Sequence, residues 1–484
     1  MMLFAILSII ACFCFLKAWK HLNYWKLRNV PFEPSSSLIF GNLQELEKTK
    51  ALYTILKDIY DKYKRIHKFV GFFSFMTPSM MILDLDLAKE ILTKDFDYFP
   101  NKLKFYNKNE DPLSANIMNL RGEEWAMKKR MMAQELTPHK LKIYCSRTSQ
   151  ECLKLIDYIK LKGEQKNSVN IKDAVLRFMT NLVTAIALEI DADAFNDDLF
   201  KEKASFCQNS STLTGIPMAI VESFPRLSAK LGTKMRPQQI YFYVSILEKI
   251  LKTMNFKHSS SVRNCLKMKL PFKEAATQVF TFYENGFSTV SHFIIFSLYE
   301  LAINPRIQEK LRTHIKDALV KHKEIDYECI MDIPYLNQFC YEILRMYSNA
   351  SQISRICEKD YENKKYNLKI DKGVLVIIPI DGIHFDPDIY PDPYTFNPDR
   401  FSQEEIKKRH PVSFLTFGVG KRSCPGDSLS KIKQKTALVH LLRSFRFYVA
   451  EETSVPIKLV PAMSRRTDGD VFLGVEVLHD EMEF

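Results

Sequence analysis

The chain has 484 residues, of which 46% are hydrophobic and 26% are charged, and these ordinary fractions exclude a disordered or fibrous protein. Its length allows one large domain or two to three smaller ones. Lysine and arginine (69) exceed the acidic residues (57), so the net charge of +12 suggests an acidic partner of unspecified kind. The scattered cysteines form no CxxC pair, which disfavours a zinc ribbon and favours reduced thiols on the cytosolic side.

The first segment is an apolar run from Met1 to Leu16. It is slightly shorter than the ~20 residues that span a bilayer, but Lys17 can snorkel and Trp19 suits the interface. A cleaved signal peptide is the alternative. Against it, no positive residue precedes the run and no small-x-small cleavage site follows it. We therefore expect an uncleaved anchor, with the following basic residues and the rest of the chain on the cytoplasmic side.

No internal repeat or composition break divides the remainder of the chain. We therefore predict three parts, an N-terminal membrane anchor over residues 1–20, a proline-containing linker over 21–40 and a single large domain over 41–484. Strand-like runs occur at His67–Phe75, Met80–Leu83 and Gly373–Pro379. Helical periodicity dominates most of the rest, so the predicted fold class is mainly α with small β-sheets.

A long helix is predicted from Glu274 to Glu300, before Asn304-Pro305, and it is apolar on nearly all sides. A helix of this kind belongs in the core of a large protein. Gly286 interrupts it at a cost of about 1 kcal/mol relative to alanine, which indicates a purpose. A polar line follows the helix at Asn285, Ser288, Thr289 and His292. In a buried helix such side chains most often bond to their own backbone.

A second helix, from Tyr335 to Tyr347, has a clear apolar face. Glu342 and Arg345 do not lie on that face. From helical periodicity alone, they are a solvated i,i+3 ion pair that stabilises the helix by a few tenths of a kcal/mol.

An irregular, proline-rich stretch from Asp381 to Pro411 leads towards Cys424, after which apolar residues again recur at helical spacing. A helix should therefore begin just after the cysteine, with Asp427 or Ser428 as its cap. The helix start and the nearby Lys421 and Arg422 predict a lowered thiol pKa. The alternatives are a small buried cysteine in a turn, which is the commonest fate of a free cysteine, or a nucleophile without a familiar protease motif.

The segment around this cysteine resembles the signature Phe-x-x-Gly-x-Arg-x-Cys-x-Gly of the cytochrome P450 superfamily of haem-thiolate monooxygenases. The matching residues are Phe417, Gly420, Arg422, Cys424 and Gly426. The resemblance implies the cytochrome P450 fold and a haem b (iron-protoporphyrin IX) cofactor. It also implies that Cys424 is the axial thiolate on the haem iron and that Arg422 pairs with a haem propionate.

Other motifs occur in the order that this family requires. Glu342 and Arg345 match its Glu-x-x-Arg signature, and Arg400 lies in a Phe-x-Pro-x-Arg-Phe segment. In the family these three form a structural triad that locks the loop before the haem cysteine. The resemblance further assigns haem-propionate contacts to Trp125, Lys129 and Arg355. Lys129 stands where the family usually has arginine, so its contact should be weaker.

The long apolar helix resembles the one that passes over the haem. The resemblance implies that Gly286 admits oxygen and that Thr289 helps to deliver protons to it. The family usually has an acid before this threonine, but here Ser288 occupies that place. Water held by Ser288 and Thr289 could relay protons, because a hydroxyl both donates and accepts hydrogen bonds. Slower turnover or wasteful release of reduced oxygen is an equally reasonable hypothesis.

The resemblance reaches nearly the whole chain and is strongest to the microsomal insect enzymes of family six, which oxidise plant toxins and insecticides. It implies an endoplasmic reticulum membrane location, a lipophilic small-molecule substrate and electrons from an NADPH-dependent flavoprotein reductase. No nucleic-acid motif is present. Candidate substrate contacts lie at Lys104–Met118, Phe206–Arg226, Phe282–Thr289, Ile353 and Thr467–Val471. These rather apolar segments predict a mostly apolar pocket.

A basic cluster near the cysteine is predicted to dock the reductase, namely Lys421, Arg422, Lys431, Lys433 and Lys435. The predicted function is a xenobiotic- or lipid-oxidising haem-thiolate monooxygenase. Two alternatives remain open. One is a haem-thiolate isomerase or dehydratase that needs no NADPH, and the other is a catalytically impaired protein that binds haem or a lipophile.

Overall fold

The computed structural model describes residues 16–35, 37–188, 191–197, 215–235 and 272–478, together with the single positions 12, 213 and 245. Outside these residues lie most of the predicted anchor and most of residues 206–214, the first part of the candidate substrate segment 206–226. The stretch 246–271, which precedes the long helix, also lies outside them. The described chain is mostly helical with small sheets, which confirms the predicted fold class. The anchor and the domain boundaries stay predictions.

The helices of the described residues, in chain order, are α1 Leu52–Tyr63, α2 Leu85–Lys89, α3 Gly122–Gln134, α4 Pro138–Gln165, α5 Ile171–Leu188, α6 Gly215–Ser223, α7 Pro225–Lys230, α8 Phe272–Ile303, α9 Pro305–His322, α10 Tyr327–Met331, α11 Pro334–Met346, α12 Ile380–His384, α13 Gln403–Lys408 and α14 Asp427–Ser444. Proline is the first residue of α4, α7, α9 and α11. Its fixed φ suits a helix start, where its missing N–H costs nothing.

The strands are β1 Phe69–Ser74, β2 Thr77–Ile82, β3 Val169–Asn170, β4 Gln352–Ile356, β5 Tyr361–Asn363, β6 Leu368–Ile370, β7 Leu375–Pro379, β8 Phe445–Tyr448 and β9 Phe472–Val477. The largest sheet has the order β1-β2-β7-β4. In it β1 and β2 form an antiparallel hairpin, β2 runs parallel to β7, and β4 is antiparallel to β7. The three strand-like runs of the sequence correspond to β1, β2 and β7.

Two apolar cores hold the fold together. The larger core joins α4, α5, α8, α11 and α14, and the smaller one packs α1 against the four-stranded sheet. One helical stretch among the described residues, Glu284–Ile303 of α8, is long and apolar enough to cross a bilayer, and 72% of it is buried inside the protein. Its burial fits the predicted core helix. The loop that carries Cys424 enters α14 directly, so the larger core fixes where that cysteine lies.

Candidate active site

The loop before Cys424 is a tight backbone structure. The Cys424 N–H donates to the Phe417 carbonyl at 2.8 Å. Gly418 and Gly420 have φ values of 68° and 76°, which disfavour residues with a side chain. A Cβ at Gly420 would lie 2.2 Å from the Leu92 carbonyl oxygen, so only glycine fits there. These contacts hold the cysteine in one position at the start of α14.

The start of α14 differs from the predicted cap. Gly426 is the N-cap residue and Asp427 is the first helical residue, whose carboxylate accepts the Ser428 N–H at 2.7 Å. The prediction of Asp427 or Ser428 as the cap was wrong by one or two residues, because glycine also serves at this position. A Cβ on Gly426 would meet no described atom within 4 Å, so a flat group could approach the backbone beside Cys424.

The predicted direction of the Cys424 pKa was also wrong. Cys424 has solvent-accessible surface, but many protein atoms surround its thiol. The desolvation that they cause is the main reason why the pKa of the thiol is raised. The Gly426 N–H and the lysines Lys102 and Lys431 act in the opposite direction and are too weak to reverse this effect. A thiol of this kind becomes a thiolate when it binds a metal cation, which supplies the missing positive charge.

A group of cations lies next to the cysteine loop. Arg422 contacts the carbonyls of Pro100 and Leu120 and the side chain of Asn101, and its guanidinium lies 3.8 Å from the centre of the Trp125 ring. Burial and nearby Arg355 lower the pKa of Arg422 to about 9. The structure therefore brings together Trp125 and Arg422, two residues to which the resemblance assigns haem-propionate contacts.

Lys102 belongs to the same group, and the sequence did not single it out. Burial, followed by repulsion from Arg355, Arg422 and Lys104, lowers the pKa of Lys102 to about 7. Arg355 is buried, and burial lowers its pKa to about 10. No local pattern marks Lys102, because its neighbours in the cluster come from distant parts of the chain.

This cation group fits an acidic ligand. Within the described residues, no carboxylate pairs with Lys102, Arg355 or Arg422, and the buried Nε of Arg355 has no hydrogen-bond partner. Buried cations without counter-charges are costly unless an anion binds to them. The two carboxylates of a haem would satisfy this need, with Gly426 leaving room for the flat ring system.

Lys129 lies at the edge of this group. Its ammonium donates to the Lys421 carbonyl and lies 5.5 Å from the centre of the Trp125 ring. Burial and Arg422 lower its pKa. Lys129 thus ties α3 to the cysteine loop through the backbone, a contact that the sequence did not predict.

We expect that Lys102→Met will weaken haem binding by about tenfold, because a hydrogen bond to a charged group is worth about 1.5–3 kcal/mol. Titrating haem into the haem-free protein and following the absorption band measures this. Lys102→Arg should retain most of the affinity, and Lys94→Met, at an exposed lysine, should retain all of it. Equal haem affinity in Lys102→Met and the unaltered protein would contradict a role for Lys102 in holding propionates.

The predicted triad meets in the core. Arg345 donates from Nε to Glu342 Oε2 at 2.7 Å and from Nη2 to Oε1 at 2.9 Å, and Arg400 Nε donates to the same Oε1 at 3.0 Å. Glu342 and Arg345 are fully buried, so the solvated ion pair suggested by helical periodicity is wrong. Arg400 also binds the carbonyls of Pro391, Asp392 and Thr395, which ties the irregular stretch to α11.

His384 extends this network towards the cysteine loop. Its Nδ1 lies 3.0 Å from the Arg345 carbonyl and its Nε2 accepts the Leu415 N–H at 3.0 Å, an arrangement that requires the neutral ring. Burial lowers the pKa of His384 to about 3. The imidazole therefore connects α11 to the chain that leads into the cysteine loop.

The lowered pKa of His384 predicts acid sensitivity. Because the unfolded chain takes up a proton near pH 6.5 and the folded state resists it, stability should fall by about 1.4 kcal/mol per pH unit below that value. The loss should continue down to about pH 3. Urea unfolding between pH 4.5 and 7 measures the slope. His384→Gln should reduce it, whereas the same change at exposed His139 should not. An unchanged slope in His384→Gln would refute the prediction.

Helix α8 carries the predicted catalytic residues. The Thr289 hydroxyl donates to the Asn285 carbonyl at 2.6 Å, which leaves its oxygen lone pairs available as acceptors. Ser288 lines a cavity of about 520 Å³ together with Ser291 and His292 of the same helix. His292 is half-buried, and the desolvation of its ring lowers its pKa to about 4, so the ring is neutral.

The cavity has a size that suits a small-molecule ligand. Four of its lining residues come from the predicted substrate segments, namely Leu213, Met218, Ser288 and Thr467. None of the described lining residues belongs to Lys104–Met118 or is Ile353. Polar and charged side chains, including Lys172 and Arg466, make up about half of the described lining. The lining of this cavity is therefore mixed, whereas the sequence predicts a mostly apolar substrate pocket.

The predicted basic docking cluster does not form one surface. Lys421 is exposed and Lys431 is partly exposed, but Arg422, Lys433 and Lys435 are buried. The α14 helix is buried on nearly all sides in its central turns, so lysines there do not reach solvent. Of the five residues, only Lys421 and Lys431 could contact a partner protein.

Comparison with known proteins places this site in a family. The model of the family described as Cytochrome P450 matches residues 31–470. The protein named Cytochrome P450 6A1 of Musca domestica is 31% identical over 96% of this chain and 95% of its own length. Cytochrome P450 6a8 of Drosophila melanogaster is 33% identical, over 91% of this chain and 92% of its own.

This mainly helical fold holds a cysteine tightly beside a group of cations that lack counter-charges. These are the features of a haem-thiolate protein. The chain belongs to the cytochrome P450 family. Members of this family are monooxygenases that bind haem b through a cysteine thiolate, and they work with a redox partner on lipophilic substrates. The predicted family, enzyme class and cofactor are thus confirmed.

Proposed function

We propose that this chain is a monooxygenase of the endoplasmic reticulum membrane. It inserts one atom of dioxygen into a lipophilic small molecule, a xenobiotic or an endogenous lipid or hormone, with electrons that a flavoprotein reductase takes from NADPH. Cys424 is the thiolate ligand of the haem iron. The observation that carries the proposal is the cluster of Lys102, Arg355 and Arg422 beside Cys424, which has no carboxylate partner in the described residues.

The residues of the site have four tasks. Arg422, Arg355 and Lys102 hold the haem carboxylates, while Trp125 and Lys129 support Arg422 and the cysteine loop. Phe417 and Gly420 shape that loop, and Gly426 leaves space beside it. Bound haem activates dioxygen, and Thr289 and Ser288 hold and move the protons that this chemistry consumes. The triad of Glu342, Arg345 and Arg400 maintains the loop and touches no reacting atom.

The membrane location is supported by the apolar amino terminus and by the insect relatives. The basic residues that follow the apolar run favour a cytosolic catalytic domain. The reductase would contact the exposed Lys421 and Lys431, and only these two residues of the predicted cluster contribute to its electrostatic attraction.

The test is reconstitution of the full-length chain with a microsomal flavoprotein reductase and ¹⁸O₂, using a panel of lipophilic substrates. We expect NADPH-dependent product that contains one ¹⁸O atom. Omission of the reductase and omission of NADPH are the matched controls. Conversion of a peroxide substrate without NADPH would instead show an isomerase or dehydratase. A spectral response to substrates without any NADPH consumption would show a protein that only binds them.

A further inference from the structure

A lysine in the core lies against the helix that carries Thr289. Lys433 of α14 is 2% exposed, and its Nζ lies 3.1 Å from the position that a Cβ on Gly286 would occupy. The absence of a side chain at Gly286 therefore leaves room for the ammonium group. This contact gives the interruption of α8 by glycine a reason that lies within this chain.

The Lys433 ammonium has no partner among the residues that the structure describes. No hydrogen bond or ion pair joins its Nζ to any of the described residues, and burial alone lowers its pKa to about 8. No titratable group on the neighbouring elements α4, α8–α11 and β8, nor on α14 itself, contributes to that change. A buried amine with three unsatisfied donors is costly, and water at a polar internal site is the usual remedy.

The Lys433 amine lies close to the part of α8 that carries Thr289, the residue predicted to deliver protons. Gly286 and Thr289 are three residues apart, so they lie on the same side of the helix. The Thr289 hydroxyl already donates to the Asn285 carbonyl, so its oxygen can accept a hydrogen bond from a neighbouring water. The residue before Thr289 is Ser288, which cannot act as an acid near neutral pH.

We propose that Lys433 supplies protons to Thr289 through water held beside Gly286, and so replaces the acid that α8 lacks. The inference rests on the proposed monooxygenase function. Each turnover consumes two electrons and two protons, places one oxygen atom in the product and releases the other as water. Lys433 gives one proton at a time, becomes a neutral amine and regains its proton from solvent through the same water. Lys433 forms no bond to the substrate and acts only through the water and Thr289, so it is a positioning residue.

The first experiment compares Lys433→Met with Lys435→Met. Lys435 is an ideal control, because it is two residues away on the same helix, equally buried, and lies beside Met331 instead of α8. Product formed per NADPH consumed should fall about tenfold in Lys433→Met, with the difference appearing as hydrogen peroxide. Lys435→Met should couple NADPH to product as the unaltered enzyme does.

The pH profile separates proton supply from packing. In the unaltered enzyme and in Lys435→Met, product per NADPH should fall as the pH rises through about 8, because the Lys433 ammonium loses its proton. In Lys433→Met the ratio should be low and independent of pH. Equal ratios and equal profiles in the two variants would overturn the proposal.

A second measurement does not depend on turnover. Lysine labelled with ¹³C at Cε allows the Lys433 signal to be followed by NMR in the reduced, CO-bound holoenzyme and assigned by its loss in Lys433→Met. Thr289→Val should lower its titration midpoint by about 0.5 pH unit, because a shared hydrogen-bonded water is lost. An unmoved midpoint would refute the link between the two residues. If no NADPH is consumed at all, the proposed function fails, while this measurement still decides the inference.

Discussion

Replacing Cys424 with serine is expected to abolish the thiolate-type absorption band of the reduced, CO-treated protein, together with all NADPH-dependent product formation. The reason is electronic. A thiolate pushes electron density towards the iron and favours cleavage of the O–O bond, whereas a serine hydroxyl is a poor ligand that stays protonated near neutral pH. The measurement is a difference spectrum of membranes that contain the full-length chain.

Cys145→Ser is the matched control for this experiment. Cys145 is a buried free cysteine whose Sγ lies 3.7 Å from Thr436 Oγ1 on α14, so the same chemical change is made near the same helix but away from the loop. We expect the control to keep its absorption band. Survival of the band in Cys424→Ser would show that another residue holds the iron and would refute the proposed site. Loss of the band in both variants would point to general instability of α14.

The second large effect is expected at the buried triad. Arg345→Met should destabilise the protein by about 3–5 kcal/mol, because it leaves the Glu342 carboxylate charged and without its bidentate partner in the core. That loss is a large share of the 5–15 kcal/mol that typically holds a domain folded. The contact of Arg345 Nη1 with the His384 carbonyl at 2.8 Å is lost as well, so the haem loop should loosen.

The measurement is urea unfolding together with the haem content of the purified protein. Glu405→Ala provides the control, since it removes an exposed i,i+3 pair with Lys408 and should change stability by less than about 1 kcal/mol. Arg345→Lys should be intermediate, because lysine keeps the charge but cannot form the two-pronged contact. A cost for Arg345→Met no greater than that of Glu405→Ala would disprove the structural role of the triad.

Local patterns in the sequence predicted much of the fold. The strands β1, β2 and β7 and the helices α8, α11 and α14 appear where periodicity and proline placement indicated them. Each of these strands and helices depends on residues that are close in sequence, so the segment itself contains the pattern that predicts it.

Predictions about charged residues were wrong because their surroundings are formed by segments that are distant in sequence. The sequence placed Lys433 and Lys435 on a docking surface, and helical periodicity alone placed Glu342 and Arg345 in solvent, although the family resemblance assigned those two to the triad. All four are buried. A helix that is covered on every side has no outer face, so its charged residues cannot be assigned to solvent from spacing alone. The direction of the Cys424 pKa failed likewise, since burial by distant segments outweighs the charges that are close in sequence.

The sequence by itself therefore determined the family, the haem-binding cysteine motif and the order of the main elements, because these depend on residue types at short spacing. Only the tertiary structure decided which charges meet. Lys102, Arg355 and Arg422 gather beside Cys424, and Lys433 reaches Gly286 on another helix. Such encounters join residues far apart in the chain, and their energies depend on burial and distance, which no local pattern of residues contains.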